Sequence, residues 1–188
     1  MGDWTVRRAG PADAEALRHV HAESWRAAYA GILPAAVIDR EVKRRRAMGW
    51  GPVLSADKGL GALLVVESRL TGVAGFASVG EPRESIADLE AEIFELYVLP
   101  AHQGRGAGRA LIEASARHFV QHGLFGFYVW VLRSNRARFF YEALGGEPAL
   151  EKTGAVGGHP YGLVAYAWHD LTRLVTGADA PGALPPIG

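Results

Sequence analysis

The chain has 188 residues, of which 49% are hydrophobic and 21% charged, and its formal net charge is zero. This length suits one domain with a full hydrophobic core, and the balanced charge favours neither nucleic acid nor an anionic membrane surface as a partner. No apolar run reaches the roughly 18–20 residues that a bilayer-spanning helix needs. The first residues also lack the basic and apolar regions of a secretory signal. We therefore predict a cytoplasmic protein.

The absence of cysteine removes several mechanisms at once. It excludes disulfides, thiolate metal sites and a cysteine nucleophile, so group transfer must be direct or use an oxygen or nitrogen nucleophile. His19 and His21 lie two positions apart in a predicted helix, where side chains point to different sides. The other histidines show no ligand spacing, and we predict no metal.

Alternation, helical spacing and Gly/Pro breaks divide the first half of the chain into five elements. They are a strand at 4–8, a helix from Pro11 to the break at Gly31, a helix at 35–48, and strands at 62–67 and 72–79. The spacing of the last two strands predicts an antiparallel hairpin. The basic run at 43–46 is interpreted as a solvent-exposed face of the second helix.

The second half of the chain places a helix between two apolar strands. The predicted elements are a strand at 91–99, a helix at 106–122, a strand at 126–131, a helix at 135–144 and a strand at 161–168. Strand, helix and strand in succession predict a right-handed βαβ unit with parallel strands. We expect an α+β domain around one mixed sheet over residues 1–173, followed by a Gly/Pro-rich tail at 174–188.

Between the strand at 91–99 and the following helix lies a turn with three glycines at alternate positions, Gly104, Gly106 and Gly108. Glycines there leave backbone amides uncovered, and the first turn of a helix favours negative charge. Arg105 and Arg109 add positive charge at the same place. The pattern predicts a phosphate-bearing ligand, and the alternative is a purely structural connection.

Two segments carry a resemblance to a known family. Residues 103–108 fit Gln/Arg-x-x-Gly-x-Gly/Ala, which resembles the acetyl-coenzyme A signature of the GNAT superfamily of N-acetyltransferases. Residues 135–146 resemble the family's Asn…Phe-Tyr-Glu-x-x-Gly segment. A weaker similarity covers residues 25–34, which look like the first helical region of many bacterial members.

The resemblance implies a fold and a cofactor. The fold is an α/β sandwich with a mostly antiparallel central sheet, whose two parallel strands splay apart. Acetyl-CoA is implied as the co-substrate, with its pantetheine arm in the resulting cleft beside Leu96, Tyr97 and Val98. The implied pyrophosphate site consists of Gln103, Gly104, Arg105, Gly106, Ala107, Gly108 and Arg109.

The implied reaction is direct attack of a primary amine on the acetyl thioester, and a carboxylate is the expected base. Glu92 matches the family's usual strand carboxylate by its distance from Gln103. Glu95 lies on the same predicted strand, and strand alternation places the two on opposite faces. A bulge in this strand would reverse that parity and favour Glu95. The alternative is that neither is the base.

Three further groups of residues complete the implied site. Tyr141 is the expected general acid, and its alternative is an aromatic side chain packed on the sheet. Asn135 is expected to cap its helix and bind the cofactor arm, a role that Ser134 could share. Trp25, Tyr29 and Ile32 are expected at the acceptor end, and their alternative is the hydrophobic core.

The acceptor stays open between small-molecule and peptide amines, and the family's frequent homodimers allow a homodimer here. Two rival functions remain at this point. A non-catalytic acyl-CoA-binding or sensing module would keep the glycine turn and not need the glutamates or Tyr141. A dinucleotide-binding domain is disfavoured because no Gly-x-Gly-x-x-Gly occurs and the turn follows antiparallel strands.

Overall fold

The computed structural model describes residues 4–54 and 59–176. In this part of the chain seven strands form one sheet in the order β1-β2-β3-β4-β5-β7-β6. The strands are β1 (Thr5–Arg8), β2 (Ala62–Ser68), β3 (Gly72–Gly80), β4 (Glu92–Val98), β5 (Phe127–Leu132), β6 (Glu147–Val156) and β7 (His159–Trp168). The helices are α1 (Ala14–Tyr29), α2 (Ala35–Met48), α3 (Gly51–Leu54), α4 (Ala107–Gln121), α5 (Ala137–Ala143) and α6 (Thr172–Thr176).

The sheet is antiparallel except where β4 meets β5. These two strands pair in parallel at Glu92–Tyr128 and Ile93–Val129, and the pairing goes no further. The strands are connected through α4, as the predicted βαβ unit requires. The predicted fold, a mixed and mostly antiparallel sheet with splayed parallel strands at its centre, is confirmed.

Helices cover both faces of the sheet because each has one apolar side. On one face α4 buries Leu111, Ile112 and Phe119 in the largest core cluster. On the other face α1 buries Leu17 and Val20 in a second cluster with strand residues. Both faces of the sheet are therefore covered by helices.

A β-bulge in β4 changes which side chains share a face. Ile93 lies opposite Val79 and Glu95 lies opposite Ser78, so Phe94 is the extra residue. Ile93 and Leu96, three positions apart, consequently pack in the same core cluster beside α4. The bulge that we had weighed in the sequence is present, and the expectation of opposite faces for the two glutamates is wrong.

Strand β6 was absent from the sequence-based prediction. It is an edge strand with a largely exposed burial pattern, so it shows little apolar alternation. The sequence signal that was missed is the glycine pair after this strand, Gly157–Gly158. The two glycines connect the paired residues Val156 and His159, and their φ values are 59° and 85°. Two glycines with positive φ are typical of a two-residue β-hairpin turn.

The domain continues beyond the predicted boundary at residue 173. Helix α6 covers Thr172–Thr176, and its Leu174 is buried in the largest core cluster. The remainder of the predicted tail, 177–188, lies outside the described residues. Within the described ranges, no helix is both long enough and apolar enough to cross a membrane.

Candidate active site

A cavity of about 1000 Å³ opens where β4 and β5 separate. It is lined by α1 and the loop after it, by both strands, by the glycine turn and by α5. Most of the predicted site residues line it: Trp25, Tyr29, Ile32, Glu95, Leu96, Tyr97, Val98, Gln103, Gly104, Gly106, Gly108, Arg109, Asn135 and Tyr141. Three predicted residues, Glu92, Arg105 and Ala107, are outside this lining.

The glycine turn presents backbone amides to one end of the cavity. Gly104 and Gly106 have φ values of 70° and 90°, a conformation that glycine adopts without strain. The Ala110 N–H donates to the Gly106 carbonyl, so the three amides of 107–109 precede the helical ladder. These amides and the helix dipole fit a pyrophosphate. Ala107 has its side chain in the core, so it offers only its backbone.

Trp4 holds this turn from the N-terminal end of the chain, a contact that the sequence analysis missed. Its indole Nε1 donates to the Arg105 carbonyl at 2.7 Å, and its ring meets His102 edge-on at 5.7 Å between centroids. No local signal could have found this contact, because the two bonded residues are 101 positions apart.

Gly108 leaves room for a side chain of the neighbouring helix. A Cβ atom at this position would lie 3.0 Å from Cζ and 3.3 Å from Cε2 of Phe140 on α5. The small residue thus lets α5 approach the first turn of α4. Gly104 and Gly106 thus shape the turn, and Gly108 leaves space for Phe140.

The edge of β4 facing β5 has backbone groups available to an extended ligand. The Leu99 N–H donates to Ala74 of β3 at 2.9 Å. Because backbone groups alternate sides along a strand, those of Val98 and Leu96 point toward β5, where pairing has already ended. The Gln103 side chain donates to the Val98 carbonyl at 3.0 Å, which fastens the turn to this edge.

Glu92 is fully buried outside the cavity, in a network of its own. Its Oε2 accepts from the Arg83 backbone N–H at 2.9 Å and from the Tyr128 hydroxyl at 3.1 Å. Its Oε1 accepts from the Arg83 guanidinium. The expectation that Glu92 lies in the cleft as the base is therefore corrected: this carboxylate anchors the loop between β3 and β4.

Glu95 is the carboxylate that lines the cavity. Its Oε2 lies 3.2 Å from Nη2 of Arg45 on α2. Burial raises the pKa of Glu95, and the charge of Arg45 opposes that shift. Arg45 also lies over the Trp50 ring at 3.9 Å, so this member of the basic run at 43–46 points inward, contrary to our interpretation of an exposed face.

Two tyrosines, Tyr29 and Tyr97, interact with the charge of Glu95, and Tyr141 interacts with both of these tyrosines. Burial raises the pKa of Tyr97, and the charge of Glu95 raises it further. Burial also raises the pKa of Tyr29; a hydrogen bond from Tyr97 opposes this shift, and the charge of Glu95 adds to it. Burial also raises the pKa of Tyr141, and Tyr29 adds to that shift. The Tyr141 hydroxyl is therefore protonated at neutral pH.

Asn135 is buried just before α5, and its Oδ1 accepts from the Ala137 N–H at 2.9 Å. It therefore satisfies an amide at the start of that helix, as predicted for a cap. Ser134 lines the cavity beside it. In residues 4–54 and 59–176 no group of three or more His, Cys, Asp or Glu could hold a metal ion.

The chain belongs to the acetyltransferase (GNAT) family, whose sequence model matches residues 16–145. It is an N-acetyltransferase, and the expected family resemblance is confirmed. Over 172 residues the chain is 31% identical to YuaI, an uncharacterized N-acetyltransferase of Bacillus subtilis strain 168, covering 92% of this chain and 96% of the relative.

Solved structures support the fold at lower identity. The PaiA N-acetyltransferase of Thermoplasma acidophilum, in complex with coenzyme A, has a TM-score of 0.65 at 21% identity, covering 86% of this chain and 98% of its own. YncA of Salmonella typhimurium, solved with its cofactor acetyl-CoA, has a TM-score of 0.59 at 22% identity, covering 96% of this chain and 99% of its own.

Proposed function

We propose that this N-acetyltransferase moves the acetyl group of acetyl-CoA directly to a primary amine, with Glu95 as base and Tyr141 as acid. The observation that carries the proposal is that both side chains line one cavity at the point where β4 and β5 separate. Two structures of similar fold hold coenzyme A or acetyl-CoA, which supports the choice of donor.

The residues present fit this donor. Bound acetyl-CoA would supply the acetyl thioester and a thiolate leaving group. The amides at the start of α4 would hold its pyrophosphate with Arg109, and the open edge of β4 at Leu96 and Val98 would hold its pantetheine arm. The chain has no cysteine to carry the acetyl group, which favours direct transfer in a ternary complex.

Glu95 would take the proton that the acceptor must lose. An alkylamine is mostly protonated at neutral pH and cannot attack in that form. Burial raises the pKa of Glu95, which brings the carboxylate closer to the working pH and makes it a stronger base. Its ion pair with Arg45 keeps the carboxylate charged and oriented.

Tyr141 would hold the proton that the thiolate takes as it leaves. Its hydroxyl is protonated at neutral pH, since the ordinary pKa of tyrosine is about 10 and burial raises that of Tyr141 further. A positioned phenol can donate that proton, or at least a hydrogen bond, to sulfur in the transition state.

Replacing each glutamate of β4 by glutamine tests the assignment of the base. For Glu95→Gln we expect kcat to fall about 10²- to 10⁴-fold with coenzyme A affinity retained. For Glu92→Gln we expect kcat within a few-fold of wild type and a loss of about 2 kcal/mol in the free energy of unfolding, because Arg83 and Tyr128 lose a charged acceptor. Thiol release and urea unfolding measure these effects.

The same assay tests the acid. Tyr141→Phe is expected to lower kcat, whereas Tyr166→Phe, on a buried tyrosine outside the cavity lining, is the matched control. If Glu92→Gln abolished turnover while Glu95→Gln left it intact, the base would be wrongly assigned. If no amine released thiol above the rate of hydrolysis, the proposed reaction would fail.

A further inference from the structure

The end of the cavity away from the glycine turn has apolar walls, which we call the acceptor end. Trp25, Tyr29 and Ile32 line it from α1 and the loop after it. Leu132 of β5, Val156 of β6 and Leu163 of β7 line it from the sheet. All six belong to one hydrophobic cluster, and the rings of Trp25 and Tyr29 are 4.4 Å apart between centroids.

Charged side chains are sparse in the cavity. Among its lining residues in the described part of the chain, the Asp, Glu, Lys and Arg residues are Glu95, Arg109 and Arg136. Arg109 lies in the first turn of α4, and Arg136 immediately precedes α5. Arg109 adjoins the glycine turn, and Glu95 is the residue of this set that carries negative charge and can pair with an ammonium group.

The acidic residue of this lining already has a cationic partner. Glu95 pairs with Arg45 of α2 at 3.2 Å. A second ammonium group on the acceptor would therefore enter apolar surroundings without a partner, as would a carboxylate. Burying an unpaired charge in this way is strongly unfavourable.

We propose that the acceptor is a primary monoamine with an apolar body, an alkylamine or aralkylamine, and this inference rests on the proposed function. The amino group lies at Glu95, and the apolar body lies against the apolar side chains of the acceptor end. The amine nitrogen bonds to the acetyl carbon as the carbon–sulfur bond breaks. Glu95 first takes one proton from the ammonium group, so that the neutral amine can attack. The leaving thiolate takes a proton from Tyr141, and the second proton that the nitrogen loses as the amide forms restores the Tyr141 hydroxyl.

Two matched pairs of amines test this substrate class. n-Hexylamine and 1,6-diaminohexane differ by one ammonium, and 2-phenylethylamine and phenylalanine differ by one carboxylate. We expect kcat/KM to be at least about 100-fold higher for the monoamine without a second charged group in each pair, n-hexylamine and 2-phenylethylamine. Released coenzyme A is measured with a thiol reagent, and the protein contributes no thiol of its own because it has no cysteine.

A variant can move the preference in a defined direction. Ile32→Glu adds a second carboxylate at the acceptor end and should lower the preference for n-hexylamine over 1,6-diaminohexane at least about tenfold. Ile32→Gln has nearly the same size without the charge and should leave the preference unchanged. Thermal shifts with coenzyme A and each amine give a second readout, in which the monoamines should stabilise the wild-type protein most.

The outcomes separate this inference from the proposed function. If the diamine, phenylalanine or a lysine-containing peptide matched or exceeded the monoamines in kcat/KM, the substrate class would be wrong and the transferase assignment would stand. If no amine released coenzyme A, the proposed function itself would be overturned.

Discussion

Glu95 and Arg45 form an ion pair in which the side chains keep 27% and 15% of their exposure. Arg45 is held in place by the Trp50 ring beneath its guanidinium, and its Nε is buried without a hydrogen-bond partner among the described residues. The arginine thus contributes through its charge on Glu95 and through the direction in which it holds that carboxylate.

Arg45→Met should shift the pH dependence of the reaction. The base acts in its deprotonated form, so activity falls as the pH drops through the pKa of Glu95. The charge of Arg45 lowers this pKa, and its removal should move the acidic limb of the kcat/KM profile to higher pH. Arg46→Met, on an exposed neighbour, is the control. An acidic limb that stayed in place in Arg45→Met would argue against Glu95 as the base.

Strand β4 and helix α4 together build the site, and each depends on a local irregularity. The bulge at Phe94 brings Glu95 and Tyr97 to the cavity while Ile93 remains in the core. The left-handed residue Gly106 turns the chain from the 3-10 turn at Pro100–His102 into α4.

Gly106→Ala should weaken both the turn and the donor site. The φ value of 90° is unfavourable for an L side chain, so we expect a loss of about 1–2 kcal/mol in the free energy of unfolding and a weaker affinity for coenzyme A. Gly10→Ala is the matched control, because Gly10 has a φ of −122° and open space around its Cβ position. Urea unfolding and calorimetric titration measure the two effects. Equal stability of the two variants would contradict this role for Gly106.

At the scale of the molecule, His21 joins three elements beside the cavity. It is buried on α1, and its ring faces those of Trp50, after α2, and Tyr97, on β4, at centroid distances of 6.3 and 5.7 Å. Burial lowers the pKa of His21 to about 4, and the charges of Arg45 and Arg44 contribute. Between pH 6.5 and about 4, the His21 imidazole is therefore neutral in the folded protein and protonated in the unfolded chain.

This shift predicts a loss of stability in acid. The unfolded chain binds a proton at His21 below its ordinary pKa of 6.5, whereas the folded protein does so only near 4. Stability should thus fall between those values, by roughly 3 kcal/mol from this residue. The raised pKa of Glu95 acts in the opposite direction, so the effect is isolated by comparing variants.

Unfolding free energies measured between pH 4 and 7 check the prediction. His21→Phe should flatten the dependence on pH, and His19→Phe, an exposed position on the same helix, should leave it as in the wild type. Parallel curves for the wild type and His21→Phe would show that His21 is not the group responsible.

Most of the elements could be predicted from the sequence, because apolar periodicity and Gly/Pro breaks are local signals. Helix α2 was predicted with both its ends, and the order of strand, glycine turn and helix was found together with the cap at Asn135. The edge strand β6 was missed because it buries little. Its place in the sheet comes from backbone pairing with β7.

By itself the sequence determined the family and the turn that fits a phosphate, because spaced glycines, a helix start and the segment at 135–146 are carried by residues close together in the chain. Only the tertiary structure decided which glutamate reaches the cavity. One extra residue in β4 reverses the parity of the strand, and the partners of each carboxylate, Arg83 for Glu92 and Arg45 for Glu95, come from other segments. Long-range packing likewise decides that Arg45, within the basic run at 43–46, points inward, because its partners Glu95 and Trp50 lie outside helix α2.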